Sequence, residues 1–239
     1  ILSLAGCGRD PSASTDSAKP VSKADLNSTD PDVHLQAQLA YHSQVPDPAA
    51  ETCATCHPAQ TASWLKSQHA HANRLAHPTP DGKAFQHIPP LIYPGFTNTF
   101  HHSGNILAAH QTGPDGKTSK HPAAAVIGID PLVQYLTAFP GGRLQTFDAA
   151  HDPRSNEWFH VFGDDIRHEH EWGFWKNRSM TWNVQCAFCH TTNYKKNYDQ
   201  KTDSYFSTWY AMGVSCTQCH GDMTAHKANP AAPIAMTEK

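Results

Sequence analysis

The hydrophobic and polar positions along the chain predict few long regular elements. Residues 1–32 begin with a short apolar stretch and continue as Ser-, Asp- and Pro-rich sequence without apolar periodicity. Such composition predicts a disordered tether. Residues 34–42 have the spacing of a short helix, ended by the prolines that follow. Residues 59–76 also fit a helix, and Pro78 stops it.

The pattern changes between residues 85 and 162. Proline, glycine and aromatic residues are scattered here, with short β-like runs at 125–129 and 144–147 and turn sequences at 113–116 and 140–142. We therefore expect a fold that is mainly α and irregular, with a small β-containing middle section.

Composition adds a second expectation about the core. Only 38% of the 239 residues are hydrophobic, which is lean for a chain of this length, so part of the core is expected to be a bound group.

The formal net charge is −3, so there is no basic excess that would favour nucleic acid. No apolar run reaches the roughly 18 residues of a membrane span.

The cysteines carry the clearest chemical signal. Six of the seven stand in C-x-x-C pairs, and a histidine follows each pair directly. The three motifs are Cys53, Cys56 and His57; Cys186, Cys189 and His190; and Cys216, Cys219 and His220. C-x-x-C-H is the attachment signature of c-type haem, in which the cysteines form thioethers with the porphyrin and the histidine binds iron. The sequence therefore predicts three covalent haems in a haem-packed core.

Two other kinds of site use paired cysteines. A zinc site with four cysteine ligands and a thioredoxin-like redox pair both contain C-x-x-C, but neither requires a histidine after the second cysteine. With 18 histidines in 239 residues, three such histidines by chance are rare. The thioredoxin interpretation also lacks a βαβ pattern.

The remaining histidines supply candidates for the second axial ligand of each iron, which would make the irons low-spin. His226 follows His220 by six residues, and His69 lies on the helix expected after the first motif. His160 and His170 lie in the aromatic segment before the second motif. A surface or hydrogen-bonded role is the alternative for each. The tryptophans are expected to pack against the porphyrins: Trp64, Trp158, Trp172, Trp175, Trp182 and Trp209.

The seventh cysteine, Cys7, closes an apolar and small-residue stretch that matches a bacterial lipobox. We expect residues 1–6 to be a signal-peptide remnant and 7–32 the lipidated cysteine with its tether. Residues 33–226 would form the three-haem domain, and 227–239 a linker or tail. Cytochrome c maturation and the lipid place the protein in the periplasm or at the cell surface. The absence of Asp after Cys7 favours the outer membrane.

Several stretches together resemble the bacterial multihaem cytochromes c that often continue into tetratricopeptide repeats and are related to the tetrahaem cytochromes of nitrogen oxidation. The matching stretches are residues 53–57, 64–69, 128–136, 140–145, 158–160, 182–183, 196–199 and 214–226. The resemblance implies an extracytoplasmic electron carrier and supports His69 and His226 as ligands. Two departures leave the third distal ligand open: Asp222 and Met223 replace a Pro-Gly pair, and Phe174 precedes Trp175 where the family tends to have histidine.

The expected function is electron transfer to other redox proteins or neighbouring cytochromes, rather than catalysis. Two alternatives remain. One is a haem enzyme acting on a small nitrogen or sulfur compound at an open iron. The other is a subunit of a conducting filament or of a membrane electron-transfer complex.

Overall fold

The computed structural model describes residues 22–45 and 47–231. The α-helices of these residues are α1 Lys23–Leu26, α2 Pro31–Gln44, α3 Pro48–Ala54, α4 Pro58–Trp64, α5 Pro78–Asp81, α6 Trp182–Gln185, α7 Ala187–His190, α8 Cys216–His220 and α9 Thr224–Ala228. Short 3-10 helices span Gly82–Phe85 and Arg178–Met180. None of the helices in these two ranges is long and apolar enough to cross a membrane. The expected signal remnant and Cys7 lie outside the described residues.

The strands form antiparallel sheets. They are β1 Asn73–Leu75, β2 Leu91–Tyr93, β3 Phe96–Ser103, β4 Ile106–Thr112, β5 Thr118–Pro122, β6 Ala125–Ile127, β7 Val133–Phe139, β8 Arg143–Asp152, β9 Glu157–His160, β10 Thr191–Thr192, β11 Tyr198–Asp199, β12 Ser204–Tyr205 and β13 Ala211–Met212. A five-stranded sheet has the order β1-β6-β7-β8-β9, and a four-stranded sheet has the order β2-β3-β4-β5. Two small ladders pair β10 with β13 and β11 with β12.

Helix α2 confirms the helix predicted for residues 34–42. It begins where the Asp30 carboxylate accepts hydrogen bonds from the backbone N–H groups of Asp32 and Val33, at 2.9 and 3.2 Å. Pro31 occupies the first helical turn, where its missing N–H costs nothing. Leu35 and Leu39 recur at helical spacing and are buried, so they define the face that packs inward.

The two larger sheets face each other around a core that we call the sandwich core. Its aromatic centre is Phe85, Phe100, Tyr135, Phe147, Trp158 and Trp175. The opposite face of the five-stranded sheet packs on a second cluster, the motif-side core, which is Leu35, Leu39, Ala125, Ile127, Leu136, Leu144, Trp182, Ala187, Trp209 and Met212. Side chains alternate along a strand, so Val126 enters the first core while its neighbours Ala125 and Ile127 enter the second.

The expectation of a mainly α, irregular fold with a small β section was wrong. The structure is 28% helical and 30% strand, so it is mixed α/β. The strands were hidden because several inward-facing positions are polar. Asp148 of β8 accepts hydrogen bonds from Tyr93 Oη at 2.5 Å and Gln111 Nε2 at 3.0 Å, which links the two sheets. Such buried but satisfied polar groups break the apolar alternation by which strands are recognised.

The predicted helix over residues 59–76 was also wrong in its second half. Helix α4 ends at Trp64, and residues 73–75 form strand β1 instead. Strand β1 pairs with β6 from Asn73 opposite Ile127 to Leu75 opposite Ala125. Pairing with a buried sheet overrides the weak helical spacing of these residues. The β-like run at 144–147 was confirmed as part of β8, and the run at 125–129 was confirmed for its first three residues, which form β6.

Candidate haem-binding site

Each C-x-x-C-H motif lies on a turn of helix. In the first, the Cys53 carbonyl accepts the His57 N–H at 2.8 Å, and in the second the Cys186 carbonyl accepts the His190 N–H at 3.1 Å. The third motif forms the whole of α8, from Cys216 to His220. One helical turn places the first cysteine and the histidine on one side. The three motifs therefore present the same local arrangement.

None of the six cysteines of the motifs forms a disulfide in the described part of the chain. The second cysteine of each motif is exposed, whereas the first is half-buried. Burial raises the pKa of the Cys186 thiol to about 11, and burial together with the neighbouring Cys53 raises the pKa of Cys216. A catalytic cysteine needs a lowered pKa, so these two thiols are not prepared for thioredoxin-like chemistry.

The cysteine pairs do not assemble into a zinc site. Among residues 22–45 and 47–231, no three His, Cys, Asp or Glu side chains converge as the ligands of one metal ion. Zinc held by two C-x-x-C pairs would need four such ligands.

The first and third motifs lie side by side. Helices α3 and α8 are in contact, and the neighbouring Cys53 thiol helps to raise the pKa of Cys216. The Ser215 hydroxyl donates to an Asp47 carboxylate oxygen at 2.9 Å, and Trp64 Nε1 donates to the Val214 carbonyl at 2.8 Å. The residue before α3 and the last residue of α4 are thereby fixed to the two residues before α8.

The second motif is joined to the third through a short ladder. Thr191 and Thr192, directly after His190, pair with Met212 and Ala211. The Gly213 N–H then donates to the His190 carbonyl at 3.1 Å. The three motifs thus lie next to one another, and Cys186 and Ala187 of the second pack in the motif-side core.

The ring of His190 has a defined tautomer. Its Nδ1 lies 2.8 Å from the Ala72 carbonyl oxygen. A carbonyl can only accept, so Nδ1 carries a proton, and in the neutral ring this leaves the Nε2 lone pair for a metal. This is the state in which a histidine binds a metal through Nε2.

The predicted ligand His226 lies opposite His57. Their ring centroids are 6.2 Å apart and the ring planes differ by 17°. Two imidazoles that bind one iron from opposite sides have centroids about 6 Å apart, because each metal–nitrogen bond is about 2 Å. His226 Nδ1 is buried and has no hydrogen-bond partner in the described part of the chain. The separation of the two rings therefore matches that of two imidazoles that share one iron.

Apolar side chains near the motifs also fit a porphyrin. Phe188 is 62% exposed within the second motif, and Val184 just before it is 45% exposed. Leu65, at the end of α4, is 54% exposed. A haem covering these positions would remove apolar surface that the protein alone leaves in water.

The other predicted ligands differ in their surroundings. The His69 carbonyl accepts the Val214 N–H at 2.9 Å, so His69 lies beside the entry to the third motif. His160 stacks on Tyr93 with centroids 4.2 Å apart, on the strand side of the molecule. His170 stacks on His168 at 5.9 Å within an exposed segment. No contact within the described ranges joins His160 or His170 to a motif, and all three assignments stay predictions.

Sequence reasoning missed two groups that shape the site: the Ala72 carbonyl and Gly213. A backbone carbonyl leaves no trace in sequence. A glycine just before a motif was a usable signal, because glycine is favoured where the backbone has a positive φ or where two chains approach closely.

The family model for cytochrome c554 and c-prime matches residues 52–122 and 162–221, which is more than half of the chain. The chain belongs to this family. The match leaves out residues 123–161, which contain β6 to β9 of the five-stranded sheet. No curated protein and no solved structure matches the chain.

Membership of a cytochrome c family implies covalently bound haem c, iron and electron transfer. Haem binding agrees with two features of the site: the hydrogen bond that orients His190 in the second motif, and the pairing of the His57 and His226 rings at the first motif. The cytochrome's two matched segments together contain all three motifs.

Proposed function

We propose that this cytochrome carries three haems and transfers electrons outside the cytoplasm. The observation that supports it best is the helical turn shared by the three C-x-x-C-H motifs, together with the parallel rings of His57 and His226 at 6.2 Å. When bound, c-type haem supplies one-electron redox chemistry. The protein's part is to attach, ligate and space the haems.

The proposal assigns thioethers to Cys53 and Cys56, Cys186 and Cys189, and Cys216 and Cys219. His57, His190 and His220 are the proximal ligands, and His226 is the distal ligand opposite His57. His69 is proposed for a second iron because it lies beside the third motif. His160 and His170 are the candidates for the third.

The contact between the first and third motifs supports a carrier. Because helices α3 and α8 are in contact and Cys53 neighbours Cys216, haems attached to them would lie close together. Short spacing between redox centres favours electron hopping along the chain. Two protein ligands on each iron would keep the coordination unchanged between oxidation states.

The location outside the cytoplasm follows from haem attachment, and the lipid on Cys7 is a further part of the proposal. The lipid would hold the protein at a membrane, with the outer membrane favoured. Partners would be other redox proteins or neighbouring cytochromes, including further copies in a filament.

The decisive experiment quantifies haem per chain by mass and records optical and EPR spectra of the wild type and of His226→Ala. The wild type is expected to carry three haems, and His226→Ala to turn one of them high-spin and open to cyanide. His101→Ala is the matched control, because His101 lies on β3 and stacks on His110. Fewer than three haems, or no spectral change in His226→Ala, would contradict the assignment.

The same spectra test the enzyme alternative. A carrier with every iron ligated twice shows no high-spin component in the wild type. A wild-type high-spin haem that binds nitrite or cyanide would instead favour catalysis at an open iron.

A further inference from the structure

We propose that the Ala72 carbonyl makes the haem ligated by His190 the one of lowest reduction potential, and that Gly213 is the residue that positions this carbonyl. The inference rests on the proposed attachment of three haems. It concerns residues 69–73, which we call the strap. The strap connects the region of the first motif to the other two.

The first step is chemical. The Ala72 carbonyl accepts the His190 Nδ1–H at 2.8 Å. A hydrogen bond from the outer nitrogen gives the ring more imidazolate character and raises the basicity of Nε2. A more basic ligand stabilises the oxidised iron more than the reduced iron, so the potential falls.

The second step is the contrast with the other proximal ligands. Within the described residues, the ring nitrogens of His57 and His220 make no hydrogen bond. Both side chains are also exposed, whereas His190 is half-buried. Burial alone would raise the potential at His190. The hydrogen bond acts directly on the ligating ring, so we expect it to determine the order.

The third step is how the carbonyl is held. The His69 carbonyl accepts the Val214 N–H at 2.9 Å, and the Ala72 carbonyl also accepts the Gly128 N–H at 3.3 Å. The strap is therefore hydrogen-bonded at both ends. Its middle passes directly over Gly213.

Gly213 permits this close approach in two ways. Its φ is +97°, a conformation that residues with a side chain rarely adopt. A Cβ added there would lie 2.8 Å from the Ala70 carbonyl oxygen and 3.1 Å from that of His69. Both neighbours are backbone atoms, so the strap would have to move away. Because the Gly213 N–H also holds the His190 carbonyl, this movement would stretch the bond from His190 to Ala72.

The test compares Gly213→Ala with Gly104→Ala. Gly104 also has a positive φ, +57°, but its added Cβ would meet nothing within 4 Å. Each variant is purified with its haems, counted by mass and titrated spectroelectrochemically. Gly213→Ala is expected to raise the lowest of the three potentials while keeping three haems, and Gly104→Ala to leave all three unchanged. The inference is overturned if Gly213→Ala carries three haems and its lowest reduction potential equals that of the wild type.

A variant that cannot attach the second haem, Cys186→Ser with Cys189→Ser, shows which haem gives the redox transition of lowest potential. This variant is expected to lose the transition of lowest potential, and a variant that retains this transition also overturns the inference. If Gly213→Ala does not fold, the inference is tested in the wild type by measuring how fast the imidazole N–H protons of the proximal histidines exchange with solvent. The His190 proton should exchange more slowly than those of His57 and His220. A wild type with fewer than three haems would instead contradict the proposed function, so the two failures are distinguishable.

Discussion

Replacing Trp158 by phenylalanine tests whether the sandwich core is made by side chains alone. Trp158 stacks on Phe100 with centroids 3.7 Å apart and planes 11° apart, and its Nε1 donates to the Ala84 carbonyl at 2.6 Å. The substitution removes this donor from a buried acceptor, which costs about 1–3 kcal/mol. The smaller ring leaves a gap worth roughly another 1 kcal/mol.

The total, about 2–4 kcal/mol, is a large part of the stability of an ordinary domain. Urea unfolding followed by circular dichroism should therefore show a midpoint lower by about 1–2 M, given a typical slope of about 2 kcal/mol per M. The haem count and Soret spectrum should stay unchanged, because Trp158 belongs to the sandwich core.

Trp182→Phe is the matched control. Trp182 belongs to the motif-side core, against which Cys186 packs, and its buried Nε1 has no partner in the described residues. Removing a donor that has no partner costs less stability, so Trp182→Phe should lower the urea midpoint less than Trp158→Phe does. Because Trp182 packs near Cys186, its substitution should also change the haem spectrum. A Soret change in Trp158→Phe with an unaltered midpoint would refute the reasoning, since it would place Trp158 against a haem.

Three further predictions concern single side chains. Gly142→Ala should cost at least about 2 kcal/mol in urea unfolding, because φ is +68° and the added Cβ would lie against the Tyr205 carbonyl, whereas Gly104→Ala should cost less than about 1 kcal/mol. Burial lowers the pKa of His121 to about 4, below its value of 6.5 in the unfolded chain. The contribution of the neutral His121 to the free energy of unfolding is therefore fully present above pH 6.5 and is lost as the pH falls towards 4. His121→Phe should therefore flatten the fall of the urea midpoint between pH 7 and 4.5, and an equal fall in both proteins would contradict this. Asn73→Leu should raise the urea midpoint, because both side-chain amide atoms are buried and have no hydrogen-bond partner among the described residues, at a cost of about 1–3 kcal/mol. A lower midpoint would mean that the amide is hydrogen-bonded.

The motifs could be recognised from sequence because their chemistry is local. Covalent attachment needs two cysteines and a histidine within five residues, and the helical turn that presents them follows from the same five residues. The family match to both segments that contain motifs agrees with that interpretation. His226 was identified from its place six residues after His220, where a short loop can carry it to a neighbouring haem, and the structure places its ring opposite that of His57.

The strands were not predictable in the same way. In β8, Thr146, Asp148 and His151 are buried polar residues, and their partners lie on other strands or loops. The Thr146 hydroxyl, for example, donates to the Met180 carbonyl at 2.9 Å. A pattern based on hydrophobicity cannot represent a hydrogen bond between residues 34 positions apart, so these strands looked irregular.

The register of the five-stranded sheet links fold stability to the site. Val126 and Tyr135 face the sandwich core, while Ile127 and Leu136 face the motif-side core. A shift by one residue would exchange the two sets and present the wrong side chains to the motifs. The aromatic residues of the sandwich core help to fix this register from the far side of the sheet. Because Cys186 and Ala187 pack in the motif-side core, the placement of the second motif depends on that register.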